Sequence, residues 1–136
     1  MRNWELAADY IRRAEVRLGA LEFLYRAGSW ADVVRESQEI VELALKGLLR
    51  SCGVEAPRVH DVSDILKEES ARLPASILPE LDNLCRISRE LRRDRELAFY
   101  GAEDLTPSDF YTQEDAQKAF QGARQTVQHV KTCAGI

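Results

Sequence analysis

Apolar residues recur in steps of three and four along almost the whole chain, and no segment alternates with a period of two. The first run is Trp4, Ala7, Ile11, Ala14, Leu18, Leu21 and Tyr25; another begins Ile77, Leu81, Leu84 and continues through Ser88 to Leu91, Arg95 and Ala98. Steps of three and four keep side chains on one face of a helix, whereas a half-buried strand needs alternation. Such a chain can hide its apolar atoms only by laying helix against helix. The expected fold class is therefore all-α.

Punctuation divides the helices. Ala27-Gly28 stops the first after about six turns at 3.6 residues per turn, and Ser29 is placed to cap the second, whose apolar face runs from Val34 through Ile40, Val41, Leu45 and Leu48 to Ser51-Cys52-Gly53. Asp61 or Ser63 can start a short helix through Ile65 and Leu66 that stops at Leu73-Pro74. Ser76 is the expected cap of the next long helix, with Pro79 in its first turn, where no intrahelical bond is lost. Gly101 to Thr112 is a long connection, which Phe110 and Tyr111 pin to the bundle or hold ready for stacking on a ligand. Thr112 and Asp115 form a capping-box pattern before a last face of Ala116, Ala119, Phe120, Ala123, Val127 and Val130. The expectation is an antiparallel up-and-down bundle of four long helices and one short helix, in a single domain spanning 1–136.

A formal net charge of -4 argues against blanket coating of nucleic acid, so any anion site must be local. No apolar run reaches a membrane span, and Met1-Arg2-Asn3-Trp4-Glu5 lacks the core of a signal peptide, which makes a cytoplasmic protein the expectation. Cys52, Cys85 and Cys133 are too scattered for a zinc site and read as reduced, semi-buried thiols. With two histidines far apart in sequence and no glycine-rich phosphate loop, neither a hydrolytic triad, a metal nor a cofactor is called for.

One residue breaks the apolar stripe. Arg95 occupies a position that should face inward, and a guanidinium keeps its proton, so it needs a carboxylate, a backbone acceptor or a bound anion. Around it Arg86, Arg89, Arg92, Arg93 and Arg95 crowd ten residues that hold only two acids, Glu90 and Asp94, a local excess of three positive charges. Such a patch either grips phosphate or is a solvated face with Arg86 and Arg89 paired to Glu90 or to neighbouring helices. Glu42 is one turn before Lys46, and serves either as its intrahelical partner or as the carboxylate answering Arg95. His60 is placed to cap, to bond the backbone or to move a proton, while His129 needs only a half-exposed position. Leu43, Phe23 and Leu24 fall off the main stripes and suggest a second apolar patch for self-association.

The run from Arg35 through Glu42, Ala44-Leu45-Lys46 and Leu49, then Gly53, Val59-His60-Asp61-Val62 and Ile65-Leu66, resembles the HEPN domain (higher eukaryotes and prokaryotes nucleotide-binding). The similarity continues through Leu81-Asp82, Arg92, Gly101 and Tyr111 into the alanine-rich last helix, in the family's order and spacing. The resemblance implies a small helical bundle that dimerises and is often paired with a minimal nucleotidyltransferase as toxin and antitoxin. Many members cleave RNA without metal through an Arg followed, after four to six residues, by a His. Arg95 falls at the Arg position, and Tyr100 stands where four intervening residues would place the His. A phenol, with pKa about 10, exchanges protons poorly near neutrality.

The leading expectation is thus a dimeric protein binding a nucleotide or RNA phosphate with Arg95 and Arg92, helped by Tyr100, with Glu42 and His60 as further site candidates. Two rivals stand beside it. One is a metal-independent ribonuclease with an altered centre built on Arg95 and Tyr100; the other is a non-catalytic interaction module in which Arg95 makes a buried salt bridge with Glu42.

Overall fold

A computed structural model describes residues 2–55, 58, 61–100 and 106–136, with the backbone alone for helical residues 2, 3 and 93–100. The helices are α1 (Arg2–Arg26), α2 (Trp30–Ser51), α3 (Ser63–Glu68), α4 (Leu81–Tyr100), α5 (Pro107–Phe110) and α6 (Gln113–Ala134). Short 3-10 turns span Ser70–Arg72 and Ala75–Glu80. Among the described residues there is no strand. The short α5 is the one α-helix that periodicity did not announce.

Contacts between the long helices run in opposite sequence directions. Gly47 faces Ala7, Tyr10 and Ile11, whereas Glu36 meets Arg17 at 2.7 Å, so α2 descends as α1 rises. Tyr25 packs edge-on against Phe120, and Glu15 pairs with Lys131, which sets α6 antiparallel to α1. Glu90 lies 3.9 Å from Lys118 and Glu80 3.9 Å from His129, setting α6 antiparallel to α4 as well. The result is an up-down-up-down bundle. Its centre is filled by the periodic positions read from the sequence, among them Ile11, Leu21, Ile40, Leu48, Leu84 and Val127.

Helix ends follow local chemistry. Gly28 has φ of 73°, and its N–H reaches Tyr25 O while the Ser29 N–H reaches Leu24 O, both at 3.0 Å. This Schellman pairing satisfies two carbonyls that the helix leaves open, in a conformation glycine adopts without strain. Thr112 and Asp115 form the full capping box at the start of α6. Asp61 Oδ1 accepts both the Ser63 N–H at 3.0 Å and the Ser88 hydroxyl at 2.9 Å. That second bond is why a serine sits, 3% exposed, on the apolar stripe of α4.

Three expectations are corrected. Ser29 does occupy the cap position of α2, but its hydroxyl donates to the Asp32 carboxylate at 2.6 Å and makes no side-chain cap. Ser76 does not cap a long α-helix, because the segment holding Pro79 tightens into a 3-10 turn and α4 begins only at Leu81. Proline offers no N–H and disfavours the α conformation in the residue before it; the Ser76 hydroxyl instead donates to Cys133 Sγ at 3.1 Å. Finally, Leu24 and Leu43 are partly buried against the core, and the most exposed large apolar side chains of α1 are Phe23 and Val16, at 71% and 75% exposure. These two lie seven residues apart, hence on one face.

The three thiols are free, and only Cys85 is fully buried. Burial pushes its pKa up, so the thiol stays protonated in the fold, donating weakly to Ser63 O at 3.6 Å. Since the thiolate is the nucleophile, a thiol–disulfide exchange reagent is expected to modify Cys52 and Cys133 quickly and Cys85 only on unfolding. Three thiols reacting at one rate in the native protein would contradict this placement.

Candidate functional site

α4 carries the cationic cluster, and its members differ in what already holds them. Arg86 is committed: Nη1 donates to Glu90 Oε2 at 3.2 Å and Nη2 to Asn83 Oδ1 at 2.6 Å. Lys118 from α6 approaches the same Glu90 carboxylate. The expected pairing of Arg89 with Glu90 is not made, since neighbours in sequence point about 100° apart on a helix. Arg89 is exposed and Arg92 half-buried, and among the described residues neither makes a hydrogen bond or ion pair.

Arg95 lies one turn beyond Leu91 on the stripe of Leu84, Ser88 and Leu91, which are 0%, 3% and 7% exposed. Its side chain and that of Tyr100 lie outside the described residues, as does His60. Their expected roles rest on the sequence. The register of α4 carries the inward-facing stripe as far as Leu91, one turn before the arginine.

Glu42 is held in place on α2. Its Oε2 takes Lys46 Nζ at 2.9 Å and its Oε1 takes Gln38 Nε2 at 3.1 Å. The carboxylate faces a groove on the α1 side, lined by Tyr10, Arg13, Arg17 and Lys46. The intrahelical pair foreseen with Lys46 is thus present, whereas the pairing with Arg95 falls outside the described residues. His129 is half-exposed, with Nε2 3.9 Å from Glu80. Among the described residues no group of three or more His, Cys, Asp or Glu could hold a metal ion.

A feature that sequence reasoning missed is a cleft of about 320 Å³ between α4 and α6. Val34, Ile87, Leu91 and Ala119 form its apolar floor, Tyr111 is part of its lining, and Arg86, Glu90, Lys118, Gln121 and Gln125 stand around it. Gly122 draws the helices together beside it, because a Cβ there would come within 3.1 Å of Ile87. The signal available in the sequence was faint: a glycine inside a helix, flanked by glutamines one turn apart. Tyr111 is buried, so it pins the connection as expected; Phe110, packed edge-on against it, is 41% exposed.

No described helix is long and apolar enough to cross a membrane. No curated protein and no solved structure matches the chain significantly. The family model of the HEPN domain matches residues 7–133, nearly the full length, and the bundle on which that match lies is the all-α architecture described above; the chain belongs to the HEPN domain family.

Proposed function

We propose that this HEPN protein binds the phosphates of a nucleotide or RNA through Arg95 and Arg92 at the C-terminal half of α4, with Tyr100 stacking on a base or donating a hydrogen bond to phosphate. The observation that carries the reading is Arg92, a half-buried guanidinium that no acid answers among the described residues, in a helix whose Arg86 is already bonded to Glu90 and Asn83. A guanidinium grips phosphate through two parallel N–H donors, and such charge-assisted bonds are about twice as strong as neutral ones. The α4 cluster gives a negative protein a local site where this can happen.

Fluorescence anisotropy of a labelled single-stranded RNA tests it. Binding is expected to weaken with salt, Arg95→Ala to lose about tenfold or more in affinity, equivalent to about 1.4 kcal/mol, and the salt slope to fall by about one. Arg13→Ala, on an exposed part of α1, serves as the control. Equal affinity of Arg95→Ala and the unaltered protein would remove the assignment.

On the same reading the protein is a cytoplasmic homodimer that works with a minimal nucleotidyltransferase in a toxin-antitoxin-type pair. Family membership supports this, and the exposed Val16 and Phe23 offer an apolar face for the subunit contact. Sedimentation of Phe23→Lys beside the unaltered chain tests the contact, and co-purification with a neighbouring nucleotidyltransferase tests the pairing.

A further inference from the structure

We infer that the cleft between α4 and α6 is a nucleobase pocket, the half of the binding site that receives the base while the α4 arginines hold the phosphate. The inference rests on the phosphate reading above for its orientation, and on the cleft itself for its ligand class. Val34, Ile87, Leu91 and Ala119 make an apolar floor, each 2–7% exposed. A flat apolar ligand would take that residual surface out of water.

The polar rim defines what else the ligand must be. Glu90 already answers Arg86 and Lys118, and Asp115 is used in the capping box of α6. Two cations, Arg86 and Lys118, thus stand with two carboxylates, Glu90 and Asp115, and the rim has no net charge with which to attract a bare anion. Gln121 and Gln125, one turn apart, make no side-chain hydrogen bond among the described residues, and each amide offers both donors and an acceptor. An uncharged, planar group with donors and acceptors on its edge matches such a lining, as side-chain amides pair with base edges. A volume of about 320 Å³ stands at the lower end of small-molecule sites, room for one base with its sugar.

Register connects the two halves. Ile87 and Leu91 line the cleft, and the next position at the same spacing on α4 is Arg95, about 6 Å further along the axis at 1.5 Å per residue. A nucleotide lying along this stripe would set its base over Ile87 and Leu91 and its phosphate toward Arg95.

Backbone amide NMR of the full chain, titrated separately with the four ribonucleosides and with inorganic phosphate, tests the pocket. At least one nucleoside is expected to shift the amides of Ile87, Gln121, Gly122 and Gln125, and inorganic phosphate to leave them unmoved. Gln125→Trp, a change at an exposed rim position, is expected to weaken binding of the matching 5′-mononucleotide about tenfold or more, with Gln128→Trp as the unaffected control and thermal midpoints confirming both folds. Nucleoside shifts that persist in Arg95→Ala would keep the pocket even if the phosphate reading fails. RNA affinity lost in Arg95→Ala without any nucleoside shift in the cleft would overturn the pocket alone, as would full mononucleotide affinity in Gln125→Trp.

Discussion

Gly47→Leu is expected to destabilise the fold by about 3 kcal/mol, because it overfills the closest approach of α1 and α2. A Cβ at Gly47 would stand 2.8 Å from Ile11 Cγ1 and 3.3 Å from both Ala7 O and Tyr10 Cβ. Two of those neighbours are backbone or the root of a side chain and cannot swing aside. Removing a glycine from a helix interior gains about 1 kcal/mol, so Gly47→Ala should be nearly neutral or mildly harmful, while leucine adds its whole branched side chain to a site with no room. Gly19 supplies the contrast: nothing lies within 4 Å of its would-be Cβ, so Gly19→Ala is expected to stabilise by about 1 kcal/mol. Urea unfolding of the three variants measures this directly. A Gly47→Leu protein as stable as the unaltered one would mean that α1 and α2 are further apart than described.

The second large effect is a gain. Tyr100→His places an imidazole after four intervening residues from Arg95, a spacing within the four to six that the resemblance to the family implies for an Arg and His that cleave RNA. A phenol holds its proton too tightly to serve as a general base near neutrality, whereas an imidazole with an unperturbed pKa near 6.5 can accept and return one. If Arg95 grips the phosphate, Tyr100→His is expected to cleave RNA without metal to cyclic-phosphate ends, well above the unaltered protein. Adding Arg95→Ala should abolish the gain. Denaturing gels of end-labelled RNA read the outcome; cleavage by Tyr100→His that survives Arg95→Ala would show that the arginine does not hold the scissile phosphate. Efficient cleavage by the unaltered protein would instead favour an altered catalytic centre.

Much of the bundle was legible in the chain because helix-on-helix burial leaves a periodic trace. Ile11, Ile40, Leu48, Leu84 and Val127 are buried where the stripes put them, and the Thr112–Asp115 box and the Gly28 terminus are local chemistry read from adjacent residues. What was not legible depends on partners distant in sequence or on competing local bonds. Ser88 was counted in its stripe with nothing to say where its hydroxyl goes, and the acceptor is Asp61, 27 residues away. Ser29 had two acceptable partners, and the charged carboxylate of Asp32 drew the hydroxyl. Leu24, Leu43 and Phe23 looked alike off the stripes, and only packing separated two core contacts from one exposed ring.

The same division holds for the site. Five arginines in ten residues were plain, but which of them are already satisfied was not, since Arg86 is held by Asn83 and Glu90 whereas Arg92 makes no ion pair among the described residues. The cleft left almost no trace because its lining comes from helices distant in sequence, beside one close contact at Gly122 and Ile87.

A crystal structure of the protein with a bound mononucleotide puts the central claim to its most direct test. The account predicts both terminal nitrogens of Arg95 about 2.7–2.9 Å from phosphate oxygens, in a forked contact that no carboxylate of the chain itself occupies. An Arg95 enclosed in the bundle and wholly neutralised by its own chain, with the nucleotide elsewhere, would contradict it.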